Sequence, residues 1–170
     1  MKHTLECLDH GEVDEIQNLS ELLIKINRCA AVVKGGRRFS FSALVVCGNR
    51  EGVVGYGFGK ARQVPGAVEK GNKDGRKHLI RSPLNAWGSI PHEVVGEYCS
   101  AQIKLLPASD GTGIIAGASV RAVAEMAGIK NMLSKSYGST NPLNLVKATM
   151  HALAQLRTPE QVAALRGVSL

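Results

Sequence analysis

The stretch LLIKINRCAAVVKGGRRFSFSALVVCGNREGVVGYGFG, residues 22–59, has the pattern of three β-strands joined by tight turns. Leu22, Ile24 and Ile26 alternate with Leu23, Lys25 and Asn27, and β-branched residues are frequent, so residues 22–33 read as a strand. Gly35-Gly36 supplies residues free to take positive φ, as a hairpin tip requires. Residues 39–48 read as a second strand, with Phe39, Phe41, Ala43, Val45 and Cys47 on one face. Asn49-Arg50-Glu51-Gly52 is a turn, and residues 53–59 form a third strand. Short connections between successive strands make an antiparallel meander.

C-terminal to this meander the period becomes helical over residues 64–82. Val64, Val68, Gly71, Gly75 and Leu79 form a narrow stripe of small or apolar residues; Lys70, Lys73, Lys77 and Arg81 form another. Each interior glycine weakens a helix by about 1 kcal/mol relative to Ala. Close approach of the helix backbone to the sheet compensates. Residues 22–82 are thus a βββα unit. Ser82-Pro83-Leu84-Asn85 is a connector and the domain boundary.

Residues 83–170 read as a second unit. Strands are expected over residues 89–95, 98–106 and 129–137. Between the last two lie the loop Gly111-Thr112-Gly113 and a helix over residues 116–127 that stops at Gly128. Asn141 at N-cap and Pro142 at N1 open the next helix, with the stripe Leu145, Thr149, Leu153 and Leu156. Thr158-Pro159-Glu160 opens a last short helix ending at Gly167. The fold class is α+β: a βββα domain followed by a ββαβα sandwich. Its capped helices and apolar pattern imply that this second unit folds alone.

Charge divides the chain unevenly. Residues 22–82 hold 13 of the 21 Lys and Arg against three acids, a net +10. Residues 1–21 carry −5 and read as a flexible acidic arm; residues 83–170 carry +2 with dispersed cations. A basic block of this kind is the footprint of a polyanion, most often nucleic acid. Cys7, Cys29, Cys47 and Cys99 form no C-x-x-C pair and read as reduced thiols of a cytoplasmic protein. No apolar run reaches membrane-spanning length, and the acidic N-terminus lacks the apolar core of a secretion signal.

Most charge runs are solvated surface. Here, however, Lys34, Arg37 and Arg38 crowd a glycine tip that lets a phosphate approach the backbone, and arginine forks bind phosphate bidentately. The tip continues into a basic strand (Lys25, Arg28) and the basic helix, so RNA contact is the better reading. Gly55-Tyr56-Gly57-Phe58-Gly59-Lys60 fails the P-loop pattern, because Ala61 follows the lysine, and it fails G-x-G-x-x-G. It reads as a strand with aromatics on one face and glycines on the other; Lys60 and Arg62 at its exit reach phosphate. The glycine loop 111–117 entering a helix suits an anion by geometry but lacks a triphosphate lysine. The five histidines share no metal or catalytic spacing, so no catalytic site, metal or cofactor is expected.

Four segments together, Val33 to Phe41, Gly55 to Ala61, Gly111 to Gly117 and Ser136 to Pro142, resemble in order the signatures of bacterial small-subunit ribosomal protein five. The resemblance implies a double-stranded-RNA-binding-like first domain and the second domain characteristic of that family. It implies small-subunit rRNA as partner, with Lys135, Tyr137 and Asn141 adding to the RNA contacts. It further implies ribosomal proteins four and eight as neighbours, a place near the messenger entry path, a role in translational accuracy, and no catalysis or small-molecule substrate. Gly111, Thr112, Gly113 and Arg121 would face protein four. Gly71, Gly75, Trp87 and the acidic arm depart from the family pattern. Two other readings compete: a free double-stranded-RNA binder, which leaves the Gly111 and Tyr137 motifs unexplained, and a small-molecule kinase, which lacks a phosphate loop with catalytic partners.

Overall fold

The computed structural model describes residues 7–8 and 19–168. Four strands form the first sheet, β1 (Ser20–Val33), β2 (Gly36–Gly48), β3 (Val53–Ala61) and β4 (Leu79–Arg81), in the order β1-β2-β3-β4 with every pair antiparallel. Lys34-Gly35 makes the hairpin turn; of the two tip glycines, Gly36 takes the positive φ, +138°. The β2–β3 turn is held by Asn49, whose side-chain oxygen accepts the N–H groups of Glu51 (2.8 Å) and Val53 (3.0 Å).

Helix α1 (Val64–Gly75) covers one face of this sheet. The alternation in Gly55-Tyr56-Gly57-Phe58-Gly59 explains how. The three glycines face α1, and a Cβ on Gly55 would lie only 2.7 Å from the Gly75 carbonyl oxygen; on Gly57 and Gly59 it would overlap the carbonyls of Gly71 and Ala67. Gly71 and Gly75 return the fit, their α-carbons lying against Val45 and Cys47. Backbone thus meets backbone, as the small-residue stripe anticipates.

That helix ends earlier than its periodicity suggests. It stops at Gly75, and Leu79-Ile80-Arg81, expected to continue the helix to residue 82, is strand β4. Leu79 and Ile80 are both buried, on opposite faces of the sheet, which a strand allows and one helical stripe does not.

The second sheet comprises β5 (Val94–Tyr98), β6 (Ala101–Pro107), β7 (Ile114–Ile115) and β8 (Met132–Gly138), in the order β5-β6-β8-β7. Only β7–β8 is parallel, and α2 (Ala118–Ala127) is its crossover. Helices α3 (Pro142–Ala154) and α4 (Pro159–Arg166) follow. The first strand, expected over residues 89–95, instead turns at Cys99-Ser100, with Cys99 at φ 53°; Ser89 makes only an isolated bridge to Asn131. The expected caps are present. Gly128 ends α2 at φ 83°, Asn141 accepts the N–H of Leu143, and Thr158 forms a reciprocal capping box with Gln161. The acidic arm lies mostly outside the described residues; within them, Leu8 donates its N–H to Leu79 O (2.9 Å) and Ser20-Glu21 open β1.

Both faces of β2 are buried. Ala43, Val45 and Cys47 face α1, while Leu44 and Val46, with Val54 and Ile80, join Ile103, Leu105, Val123, Val146 and Leu153 in one continuous core. Helix α2 packs on β1, β2 and β3 as well as on α3, so α2 and α3 form a layer between the two sheets. Backbone hydrogen bonds cross this seam, from Arg50 N to Met126 O (3.0 Å) and from Gly52 N to Ala127 O (2.9 Å). Lys147 of α3 reaches the same seam, donating to Tyr98 Oη (3.0 Å) and lying 5.8 Å from the Tyr56 ring centroid. Burial alone would lower its pKa, but the Tyr98 hydrogen bond and the neighbouring Tyr56 and Tyr98 turn the shift upward.

A core shared across residue 83 argues against the expectation that the second half folds alone. Burying a Val, Leu or Ile side chain stabilises by roughly 1.5–3 kcal/mol. Exposing Leu44, Val46, Val54 and Ile80 would forfeit an amount comparable with a whole domain's stability of about 5–15 kcal/mol. Residues 1–82 and 83–170 expressed separately are therefore expected to unfold in urea without a cooperative transition, and mixing them should restore one. A sigmoidal transition for either fragment alone would contradict this.

Candidate nucleic-acid interface

Beyond the core, β1 and β2 continue as a two-stranded ribbon. Residues 30–39 are all exposed, as are Lys25, Ile26, Asn27 and Arg28. The pairing assigns each residue a face. On the α1 side lie Ile26, Arg28, Ala30, Val32, Arg37, Phe39 and Phe41; on the other lie Lys25, Asn27, Cys29, Ala31, Arg38, Ser40 and Ser42. A bulge between Leu23 and Lys25 sets this division by shifting the alternation of β1 by one residue, and so places Lys25 opposite Leu44.

Lys34, Arg37 and Arg38 cluster at the tip of the ribbon, exposed, and none of the described ion pairs involves them. The Arg28 guanidinium lies 3.7 Å above the centroid of the Phe39 ring. Lys60 sits across Ser42 from Asn27, and Arg62 follows in the loop to α1. Lys70 and Lys73 stand exposed on α1; Lys73 pairs with Glu69 at 2.9 Å, and that hydrogen bond lowers the Glu69 pKa. Lys77 and Arg81 leave this stripe, because the helix has ended: Lys77 occupies the following turn and Arg81 pairs with Val53 on β4. Lys135 and Tyr137 lie on the outer face of the second sheet, beside Lys104 and Gln102 and away from the buried Ile103 and Leu105.

Lys25 and Asn141, far apart in sequence, meet at a cleft of about 210 Å³ between the first sheet and the start of α3. Asn27, Leu44, Phe58, Pro142 and Leu143 complete its lining. Phe58 escapes a search for cations; the signal that finds it is the Gly-aromatic alternation of β3, which sends Tyr56 and Phe58 away from α1.

The loop carrying Gly111, Thr112 and Gly113 is pinned rather than loose. Asn131, buried, accepts the N–H of Gly113 (3.0 Å) and donates to Asp110 Oδ1 (3.2 Å) and Trp87 O (3.1 Å). Gly111 and Gly113 have positive φ with open space around them, so the loop presents backbone outward. Arg121 is exposed on α2. Asn131 was not legible as an organiser, since nothing in its local sequence marks its three partners.

The remaining chemistry is quiet. Among the described residues no group of three His, Cys, Asp or Glu side chains is placed to hold a metal, and no helix is long and apolar enough to cross a membrane. Burial, helped by Glu21, pushes the Cys47 thiol up to about 11, which leaves it protonated and unreactive at neutral pH.

Known proteins resemble this chain over most of its length. The ribosomal protein S5 N-terminal domain matches residues 19–83, and the ribosomal protein S5 C-terminal domain matches residues 96–166. The chain is 57% identical over 151 residues to a small ribosomal subunit protein uS5 of Rhodopirellula baltica, covering 89% of this chain and 85% of that one. It is 50% identical over 159 residues to the proteins of the same name from Blochmanniella floridana and Shewanella oneidensis, covering 94% of this chain and 90% and 95% of theirs.

Proposed function

The chain belongs to the ribosomal protein S5 family, and from that premise we propose that the β1–β2 ribbon and the adjoining basic surface hold it on small-subunit rRNA. As a family member it is a structural, non-enzymatic constituent of the small ribosomal subunit in the cytoplasm. The carrying observation is the ribbon itself. In this two-stranded projection Lys34, Arg37 and Arg38 are exposed and take part in none of the described ion pairs, and Arg28 is exposed over the Phe39 ring, so the charge of the ribbon faces outward, toward a phosphate backbone. Lys60, Arg62, Lys70 and Lys77 extend the cationic surface away from the tip, and Lys135, Tyr137 and Asn141 add contacts from the second half.

The second half does a different job in this reading. The pinned loop at Gly111, Thr112 and Gly113, with Arg121 on α2, meets ribosomal protein four; protein eight is the other protein neighbour. This surface lies by the messenger entry path and bears on translational accuracy. A free RNA binder has no use for a loop so firmly fixed by a buried asparagine, which favours the ribosomal reading.

Association decides it. Purified chain mixed with small subunits stripped of their own copy should co-sediment with them at moderate salt, at one copy per particle. A chain that stays at the top of the gradient would defeat the proposal.

A further inference from the structure

The cleft between the first sheet and α3 lies outside the tip whose charge carries the RNA reading. Its floor is one lateral row of the sheet, Lys25, Leu44 and Phe58, placed side by side by the two strand registers. Its opposite wall is Pro142 and Leu143 at the start of α3. Phe58 is 44% exposed, an unusual state for a phenylalanine beside a continuous apolar core. Its backbone is fixed, because Asp74 accepts the Phe58 N–H at 3.0 Å. One row toward the ribbon tip stand Asn27 and Lys60, flanking Ser42. The lining residues include a cation and two amides but no acid.

We infer that this cleft receives a single unpaired RNA base, stacked on Phe58, with the adjoining phosphates drawn by Lys25 and Lys60. The proposal rests on the RNA reading given above and adds to it a base-holding subsite built from both halves of the chain. Three observations converge on this occupant. The space is a notch of about 210 Å³ rather than a groove, so it admits one planar group and not a duplex. An exposed aromatic ring beside a cation is the combination that holds an unstacked base by its π-face, and the neighbouring amides can hydrogen-bond the base edge. The notch is also continuous with the ribbon through Asn27 and Lys60, so a backbone running along the ribbon passes its mouth. The β1 bulge is then functional: it is what turns Lys25 toward the cleft.

The test uses the full chain and two RNA stem-loops, identical except that one carries a single unpaired 2-aminopurine. The wild type should bind the bulged RNA about tenfold more tightly than the fully paired one, the effect of one base–aromatic stack. Its 2-aminopurine fluorescence should be quenched on binding. Phe58→Leu keeps the apolar contacts but removes the ring; it should abolish both the preference and the quenching while binding the paired RNA as the wild type does. Phe58→Trp should restore both. Equal affinity of the wild type for the two RNAs, or quenching that survives Phe58→Leu, overturns the cleft assignment alone. Absence of salt-sensitive binding to either RNA overturns the RNA reading together with it.

Discussion

Gly57→Ala should destabilise the protein by about 3 kcal/mol, the upper end of the range for overpacking a filled site. The added methyl would overlap the carbonyl oxygen of Gly71 and crowd the amide of Gly75. Both are backbone atoms of α1, so no side-chain rotation relieves the clash, and the helix must lift from the sheet. Lifting it would loosen the small cluster of Ala43, Val45 and Ala67 beneath. Gly66→Ala is the control, since it also adds one methyl to the same unit. There the new Cβ meets only the Ala61 side chain, at 3.5 Å, an ordinary contact. Replacing a helical glycine by alanine stabilises by up to about 1 kcal/mol. Urea titrations of the two variants should therefore move the midpoint in opposite directions. If Gly57→Ala shifts it no more than Gly66→Ala, α1 does not rest on the β3 glycines.

The same glycines show what the sequence discloses. Alternation of glycine with Tyr56 and Phe58 made β3 and its two chemical faces readable, and the Gly71 and Gly75 stripe announced a helix pressed against a sheet. Caps at Asn141 and Thr158 and the stop at Gly128 were legible because each is a local hydrogen-bonding event. The end of α1 was not. A three-residue strand has no period of its own, and Leu79 happens to extend the helical stripe. β7, with two residues, was invisible for the same reason. The shared core could have been suspected. Residues 42–48 are buried without interruption, and the run Ala43-Leu44-Val45-Val46-Cys47 is apolar throughout, the mark of a strand covered on both faces. Reading only its odd positions concealed the second cover. The cleft was out of reach, because it depends on a bulge within Leu22-Leu23-Ile24, three apolar residues among which no pattern shows which one is extra.

Replacing Lys34, Arg37 and Arg38 together by alanine should reduce the salt dependence of RNA binding more than any other triple change on this surface. Each phosphate contact contributes about 0.9 to the slope of log affinity against log salt, so losing three lowers it by roughly 2–3. The change is cleanly interpretable because these side chains support nothing else. All three are exposed, and none takes part in a described ion pair. Folding should stay within about 0.5 kcal/mol of wild type, as expected of surface substitutions. The comparison is a triple replacement of Lys130, Arg157 and Arg166, three exposed cations of the second half that remove the same charge from the molecule. If the ribbon binds phosphate directly, the two variants differ sharply at equal net charge. If RNA is attracted only by the overall field, both lose the same slope. Filter binding to small-subunit rRNA over a range of salt separates the outcomes, and an unchanged slope in the ribbon variant removes the hairpin from the interface.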